Sequence, residues 1–231
     1  MGLINGGKPV VRDSLILELD AANQKSWGGG DTWKDTSGQG NDLSLLNGLT
    51  HSQGPFPGAG YVDFDGSGDY LDITSNLQQT GEFTIEFWFY ANSISQDDTI
   101  YTWGNSATYM NPCRFQSTTS LGFYKYGVGL LAETGANTVQ PNQWYHLAVT
   151  KNSSNTLSIW LDGVLKDTYA FGSDPYGNTG GVHIGASHDP GTAYDTLTDT
   201  SLILDVCHLV FILQTLLLQK VHLKIFQIQH F

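Results

Sequence analysis

The sequence predicts an all-β protein, an antiparallel sandwich or jelly roll, on three observations. Short runs in which apolar and polar residues alternate recur from residue 15 to about residue 190, the period of two that puts alternate side chains on one face of a strand. Turn chemistry separates these runs: the 231 residues include 27 glycines, many of them beside Asn, Asp or Ser. No window before residue 201 sustains a 3.6-residue period. Short strands at such regular spacing indicate a sandwich or jelly roll, and one all-β domain can occupy this length.

The elements follow in order. Residues 1–13 form a flexible lead-in without an apolar stretch, so no secretory signal is expected there. Leu15, Leu17 and Leu19 alternate with Ile16, Glu18 and Asp20 in a first strand, and residues 21–41 form a glycine-rich loop carrying Trp27 and Trp33. Leu43 to Leu46 is a short apolar run, and residues 54–60 form a loop with Pro55 and Pro57. Val62 and Phe64, the turn Gly66-Ser67-Gly68, then Tyr70 and Leu71 predict a hairpin. Phe83, Ile85, Phe87 and Phe89 alternate with Thr84, Glu86, Trp88 and Tyr90; this strand is apolar on one face and amphipathic on the other, so a central position is predicted.

Weaker strands follow at residues 100–103, 121–126 and 128–131. The best-specified block spans residues 142–171, a three-stranded meander. Its last turn is Asp162-Gly163, the pair suited to the two positive φ angles of a type I′ turn. One more strand is expected at residues 180–185 and a polar loop at 188–200, which sets a domain of residues 14–200.

Composition changes at Ser201. The last 31 residues contain no Gly, Pro, Ala, Trp or Tyr, and 18 of them are Leu, Ile, Val or Phe. In this atypical apolar C-terminal segment, residues 201–231, the nearly unbroken run from Leu209 to Leu218 is too short and too interrupted for a membrane span of about 20 residues. Two readings stay open: closing core strands at 202–211 and 220–231, or out-of-frame sequence that has lost the turn chemistry of the rest.

Charge excludes one class of partner. Lys and Arg number 10 against 22 Asp and Glu, a net charge of −12. A nucleic-acid surface needs the opposite sign. Acidity permits calcium, which takes carboxylate and carbonyl oxygens, and equally serves solubility. Cys113 and Cys207 match no metal-ligand spacing, and a disulfide or two free thiols are both open.

Six segments together resemble the laminin G-like, concanavalin A-like jelly-roll domains common in phage structural and bacterial surface proteins. They are residues 15–23 (LILELDAAN), 32–42 (TWKDTSGQGND), 62–71 (VDFDGSGDYL), 83–88 (FTIEFW), 143–149 (QWYHLAV) and 159–163 (IWLDG), in the family's order. The resemblance implies two antiparallel sheets packed face to face. It also implies a closing strand led by glycine, whereas residues 202–211 keep only Asp205-Val206 of that pattern.

Related folds include glycoside hydrolases with paired Glu on one strand in an E-x-D-x-E pattern. Retaining hydrolysis needs two carboxyl groups about 5 Å apart. Glu18-Leu-Asp20 lacks the second Glu, Glu86 stands alone, Ser, His and Asp occur without a nucleophile elbow, and the histidines show no metal-ligand spacing, so the chain is expected not to be an enzyme. Family members often hold a structural calcium at a sheet edge, which makes Asp35, Asp65 and Asp205 the candidate ligands.

A lectin-like role would place aromatic rings in rim loops: Trp27, Trp33, Trp103, Tyr124, Tyr176 and Tyr194 are the ligand-binding candidates. Trp88, Trp144 and Trp160 are expected in the core or between sheets, and Tyr145 and His146 as scaffold. The expected function is a non-catalytic module recognising a carbohydrate or host surface component, displayed on a virion or cell surface. Its alternatives are a purely structural phage tail or decoration domain that contacts other virion proteins, and a glycan hydrolase. No nucleic acid or membrane partner is expected.

Overall fold

The computed structural model describes residues 13–46, 48–53, 60–73, 81–104, 109–171, 181–187, 195–196, 202–204 and 210–212. Among them there is no helix. The strands, in chain order, are β1 (Leu15–Leu17), β2 (Thr32–Trp33), β3 (Leu43–Leu46), β4 (Thr50–Gln53), β5 (Gly60–Phe64), β6 (Tyr70–Ile73) and β7 (Phe83–Ala91). There follow β8 (Thr99–Gly104), β9 (Met110–Ser117), β10 (Ser120–Lys125), β11 (Gly129–Glu133), β12 (Trp144–Lys151), β13 (Thr156–Leu161) and β14 (Val164–Ala170). The last are β15 (Gly181–Ile184), β16 (Ala186–Ser187), β17 (Asp195–Thr196), β18 (Leu202–Leu204) and β19 (Val210–Ile212).

Two antiparallel sheets account for all but one pair of strands. Sheet A runs β14-β13-β12-β7-β18-β5-β4, with β19 joining β7 to β1. Sheet B runs β11-β10-β9-β8-β15-β6-β3-β2, and β16 pairs β17 separately. The inward side chains of both sheets form one core. Ring contacts cross between the layers: Phe83 meets Trp103 edge-on at 5.5 Å, and Phe89 meets Phe115 at 6.3 Å. Such pairs add about 0.5–1.5 kcal/mol each beyond area burial.

The predicted meander is present as β12, β13 and β14. Asp162 and Gly163 have φ of 51° and 74°, both positive as the two-residue turn requires. The Asp162 amide donates to the His146 carbonyl at 2.8 Å and the Asp162 carboxylate accepts from the His146 amide at 2.9 Å, so the turn is tied back to β12. β7 is central, between β12 and the β18–β19 pair.

The structure departs from the sequence reading at several points, and β2 and β17 lie in segments expected to be loops. The Val62–Leu71 region is not a hairpin: β5 lies in sheet A, paired with β4 and β18, and β6 lies in sheet B, paired with β3 and β15. Gly66 and Gly68, at φ of 80° and 92°, let the chain cross between layers while the Asp65 amide donates to Asp69 Oδ2 at 3.0 Å. β9 was not foreseen. Pro112 sits where its register shifts against both β8 and β10, at bulges that spare the ladder the missing N–H.

The backbone of β18 pairs β5 and β7, and β19 pairs β7 and β1. The second expected tail strand, residues 220–231, lies outside the described residues. Cys113 is buried, which raises its thiol well above the usual range, and Cys207 lies outside the described residues.

Candidate functional site

Strict alternation gives β7 two faces. Phe83, Ile85, Phe87, Phe89 and Ala91 point inward and are buried, and Thr84, Glu86, Trp88 and Tyr90 point outward and are half-buried. The register with β12 and β13 extends that outward face across three strands in rows. Tyr90 stands opposite Trp144, Trp88 opposite His146, and Glu86 opposite Ala148, which in turn faces Trp160.

The rows are in contact. The Tyr90 and Trp144 rings lie 5.4 Å apart and those of Trp88 and His146 5.2 Å apart. Tyr90 Oη donates to Asn142 Oδ1 at 3.3 Å, and Trp160 Nε1 donates to Thr150 Oγ1 at 3.3 Å, which fixes the indole. Ala148, a small residue, separates the Glu86 carboxylate from the Trp160 indole in this row.

The polar groups of this face are perturbed in opposite directions. Burial holds the His146 imidazole below its usual value, with the Asp162 charge partly opposing it. Partial burial, which strips water from the charged form, raises the Glu86 carboxyl, although 37% of its side chain is exposed. Glu86 Oε2 lies 3.8 Å from His146 Nε2. Opposite Glu86 on β12 stands Ala148, and no second carboxylate shares its row among the described residues of β12 and β13. Glu18 is buried, its Oε2 accepting from Thr36 Oγ1 at 2.9 Å, a loop-organising role.

This arrangement corrects the expectation that Trp88, Trp144 and Trp160 pack in the core. The amphipathic face of the Phe83–Tyr90 run was visible in the sequence. The core reading overlooked that its four inward residues already fill the interior, leaving the tryptophans outside.

The predicted loop aromatics do not converge on one site. Trp33 is fully buried and Trp103 is 2% exposed, its ring flanked by Phe83, Tyr101 and Phe123; neither offers a face to a ligand. Trp27 is half-buried, stacked on His51 at 4.7 Å and edge-on to Trp33 at 6.4 Å. Tyr124, on sheet B, carries the Arg114 guanidinium 4.5 Å above its ring, and Arg114 pairs with Asp97. Tyr176 and Tyr194 lie outside the described residues.

Two of the expected calcium ligands, Asp35 and Asp65, organise their own loops. The Asp35 carboxylate already accepts four bonds, from the amides of Glu18, Ser37 and Asn41 and from Ser37 Oγ, at 2.7–3.0 Å. Asp65 Oδ1 accepts from the Ser67 amide at 2.7 Å, and Asp205 lies outside the described residues. Burial, with the nearby Asp65 charge, raises the carboxyls of Asp63 and Asp69. No group of three His, Cys, Asp or Glu among the described residues is placed to hold a metal ion.

Sheet B has a different outward side. Along β8 both faces are buried, and the polar groups there are spent on one another: Asn111 accepts from Thr102 Oγ1 at 2.7 Å and donates to Thr99 Oγ1 and Ser187 Oγ, each at 3.2 Å. Sheet A carries its half-buried aromatics in adjoining rows on one face.

Comparison with known proteins agrees with this architecture. The family model of the concanavalin A-like lectin/glucanases superfamily matches residues 65–206. No curated protein sequence gives a significant match. Similar solved structures include the binding domain of Paraclostridial Mosquitocidal Protein 1, with TM-score 0.60 and 14% identity over 89% of this chain and 50% of that one. The binding domain of botulinum neurotoxin serotype D/C superposes with TM-score 0.61 and 18% identity over 89% of this chain and 50% of that one. Botulinum neurotoxin type C gives TM-score 0.61 and 19% identity over 89% and 49%. The chain thus spans about half the length of each, and at these identities the likeness is one of fold. With a match over more than half of its length and two face-to-face antiparallel sheets, this chain belongs to the concanavalin A-like lectin/glucanase superfamily.

Proposed function

We propose that the chain is a non-catalytic carbohydrate-recognition module that acts on a virion or cell surface and binds sugar on the outward face of β7, β12 and β13. The observation that carries this reading is the set of half-buried aromatic rows, Tyr90–Trp144, Trp88–His146 and Trp160, with Glu86 and Asp162 beside them. The C–H face of a pyranose carries partial positive charge and meets the negative face of an aromatic ring, while its hydroxyls need polar partners at the edge. Both are on this face.

The fold's other users support the reading. Cell entry of botulinum neurotoxin type C depends on interaction with two ganglioside molecules, and the binding domain of botulinum neurotoxin DC has been solved in complexes with SialylT and with rat synaptotagmin II. A glycan array probed with the whole chain tests the proposal. Binding to a defined set of glycans, unchanged by EDTA and weakened in a Trp88→Ala variant, supports it; a blank array under both conditions counts against it.

The purely structural reading draws on one observation. Val128 and Leu130, near one edge of sheet B, and Val164 and Leu165, on the edge strand of sheet A, are exposed apolar residues. A chain that binds no glycan but joins other coat proteins through such an edge would favour it.

A further inference from the structure

Resting on that reading, we infer that the sheet A face selects sugars bearing a free amino group and rejects acidic ones, with Glu86 as the residue that decides. Three observations carry this further than a generic lectin surface. Glu86 stands beside the Trp88 row, and in its own row only the small Ala148 separates it from Trp160. Asp162, exposed at the end of the His146 row, adds a second negative charge. His146 between them is held toward its neutral form, so it does not cancel either.

The cations of the neighbouring strands are placed elsewhere. Lys151 is buried at the end of β12 and donates to Asn155 Oδ1 at 3.0 Å. Lys166 sits in the bulge of the edge strand β14, three strands from Glu86 or roughly 14 Å at the usual strand spacing. The chain as a whole carries −12. An anionic sugar would bring like charge to a half-buried carboxylate, whereas an ammonium group there gains an ion pair and the faces of Trp88 and Trp160. Partial burial already raises the Glu86 carboxyl, so a cation at that place restores charge stabilisation that solvent supplies only in part.

The test uses three oligosaccharide series of equal chain length: glucosamine oligomers, their N-acetylated forms, and glucuronic acid oligomers. Each is titrated by calorimetry against the whole chain and against the Glu86→Gln and Glu86→Lys variants, with thermal melts confirming that both variants fold. The inference predicts that the parent chain binds the glucosamine series about tenfold or more tighter than the glucuronic series, a gap typical of one close charge pair. Glu86→Gln shrinks that gap, and Glu86→Lys reverses the order. Equal or tighter binding of the glucuronic series by the parent chain, or a gap unmoved by both variants, overturns the inference and leaves carbohydrate recognition standing. Failure of all three series, together with a blank glycan array, overturns the recognition reading and this inference with it.

Discussion

The two faces of β7 have the same backbone and differ in almost everything else. The inward set of Phe83, Ile85, Phe87 and Phe89 is buried against the opposite sheet, and Phe89 alone touches Phe87, Phe115 and Tyr145. The outward set of Glu86, Trp88 and Tyr90 is half-buried, pairs with residues of β12, and meets solvent. One alternating stretch therefore encodes scaffold on one side and candidate site on the other. Substitutions on the inward side should cost stability, and substitutions on the outward side should cost binding.

The largest expected effect comes from breaking the inward face. Phe89→Ala should destabilise the fold by about 3–5 kcal/mol, the usual cost of an emptied aromatic site in a core, read as a drop in denaturation midpoint. Next is the outward face. Replacing Trp88 and Trp160 together by Ala should weaken glycan binding by roughly 1–3 kcal/mol, about fivefold to 150-fold, because two stacking platforms are lost. The same variant should change the melting midpoint far less than Phe89→Ala does. If the double variant unfolds the chain as Phe89→Ala does, the separation of the faces is wrong.

A smaller effect sharpens the comparison through register. Gly163→Ala forces a side chain into the left-handed region at φ 74° and should cost about 1–2 kcal/mol. Because a one-residue slip would turn every β13 side chain to the other face, this variant should also lose glycan affinity through Trp160. The smallest effect is in pH. His146 is lowered from 6.5 by burial, so the folded chain binds fewer protons than the unfolded one in the window just below 6.5, and stability falls as pH drops through it. Glu86 is raised from 4.5, so the folded chain binds more protons just above 4.5, and stability falls as pH rises through that window. Melts across pH should show His146→Gln flattening the upper slope and Glu86→Gln the lower one.

What the sequence disclosed tracks how local each determinant is. The β12–β14 meander was legible because alternation and the Asp162-Gly163 turn lie within thirty residues of chain. The β5–β6 crossing was not. Glycines at positive φ serve a hairpin and an inter-sheet arch equally well, and the choice was made by distant strands, with β18 capturing β5 and β15 capturing β6. β9 was hidden because Asn111 and Pro112 interrupt the alternation that Cys113 to Gln116 keep, although the bulges at Pro112 hold it in the sheet.

The candidate site was half legible. The amphipathic face of β7 could be read, but which side of a two-sided aromatic strand faces inward depends on how much the opposite sheet can bury. Residues 83–90 alone do not carry that information. Trp33 and Trp103 were offered as ligand platforms from their place near loops, and packing claimed both. Trp27 is a loop candidate with part of its surface reachable, stacked on His51.

Trp27 therefore supplies the control for the central claim. The direct measurement is the affinity of a bound glycan for the parent chain, for the Trp88→Ala/Trp160→Ala double variant and for Trp27→Ala, each with its melting midpoint recorded. The account predicts that affinity collapses in the double variant while the midpoint is largely kept, and that Trp27→Ala binds like the parent. Undiminished binding in the double variant with loss in Trp27→Ala would contradict it and return the site to the rim loops.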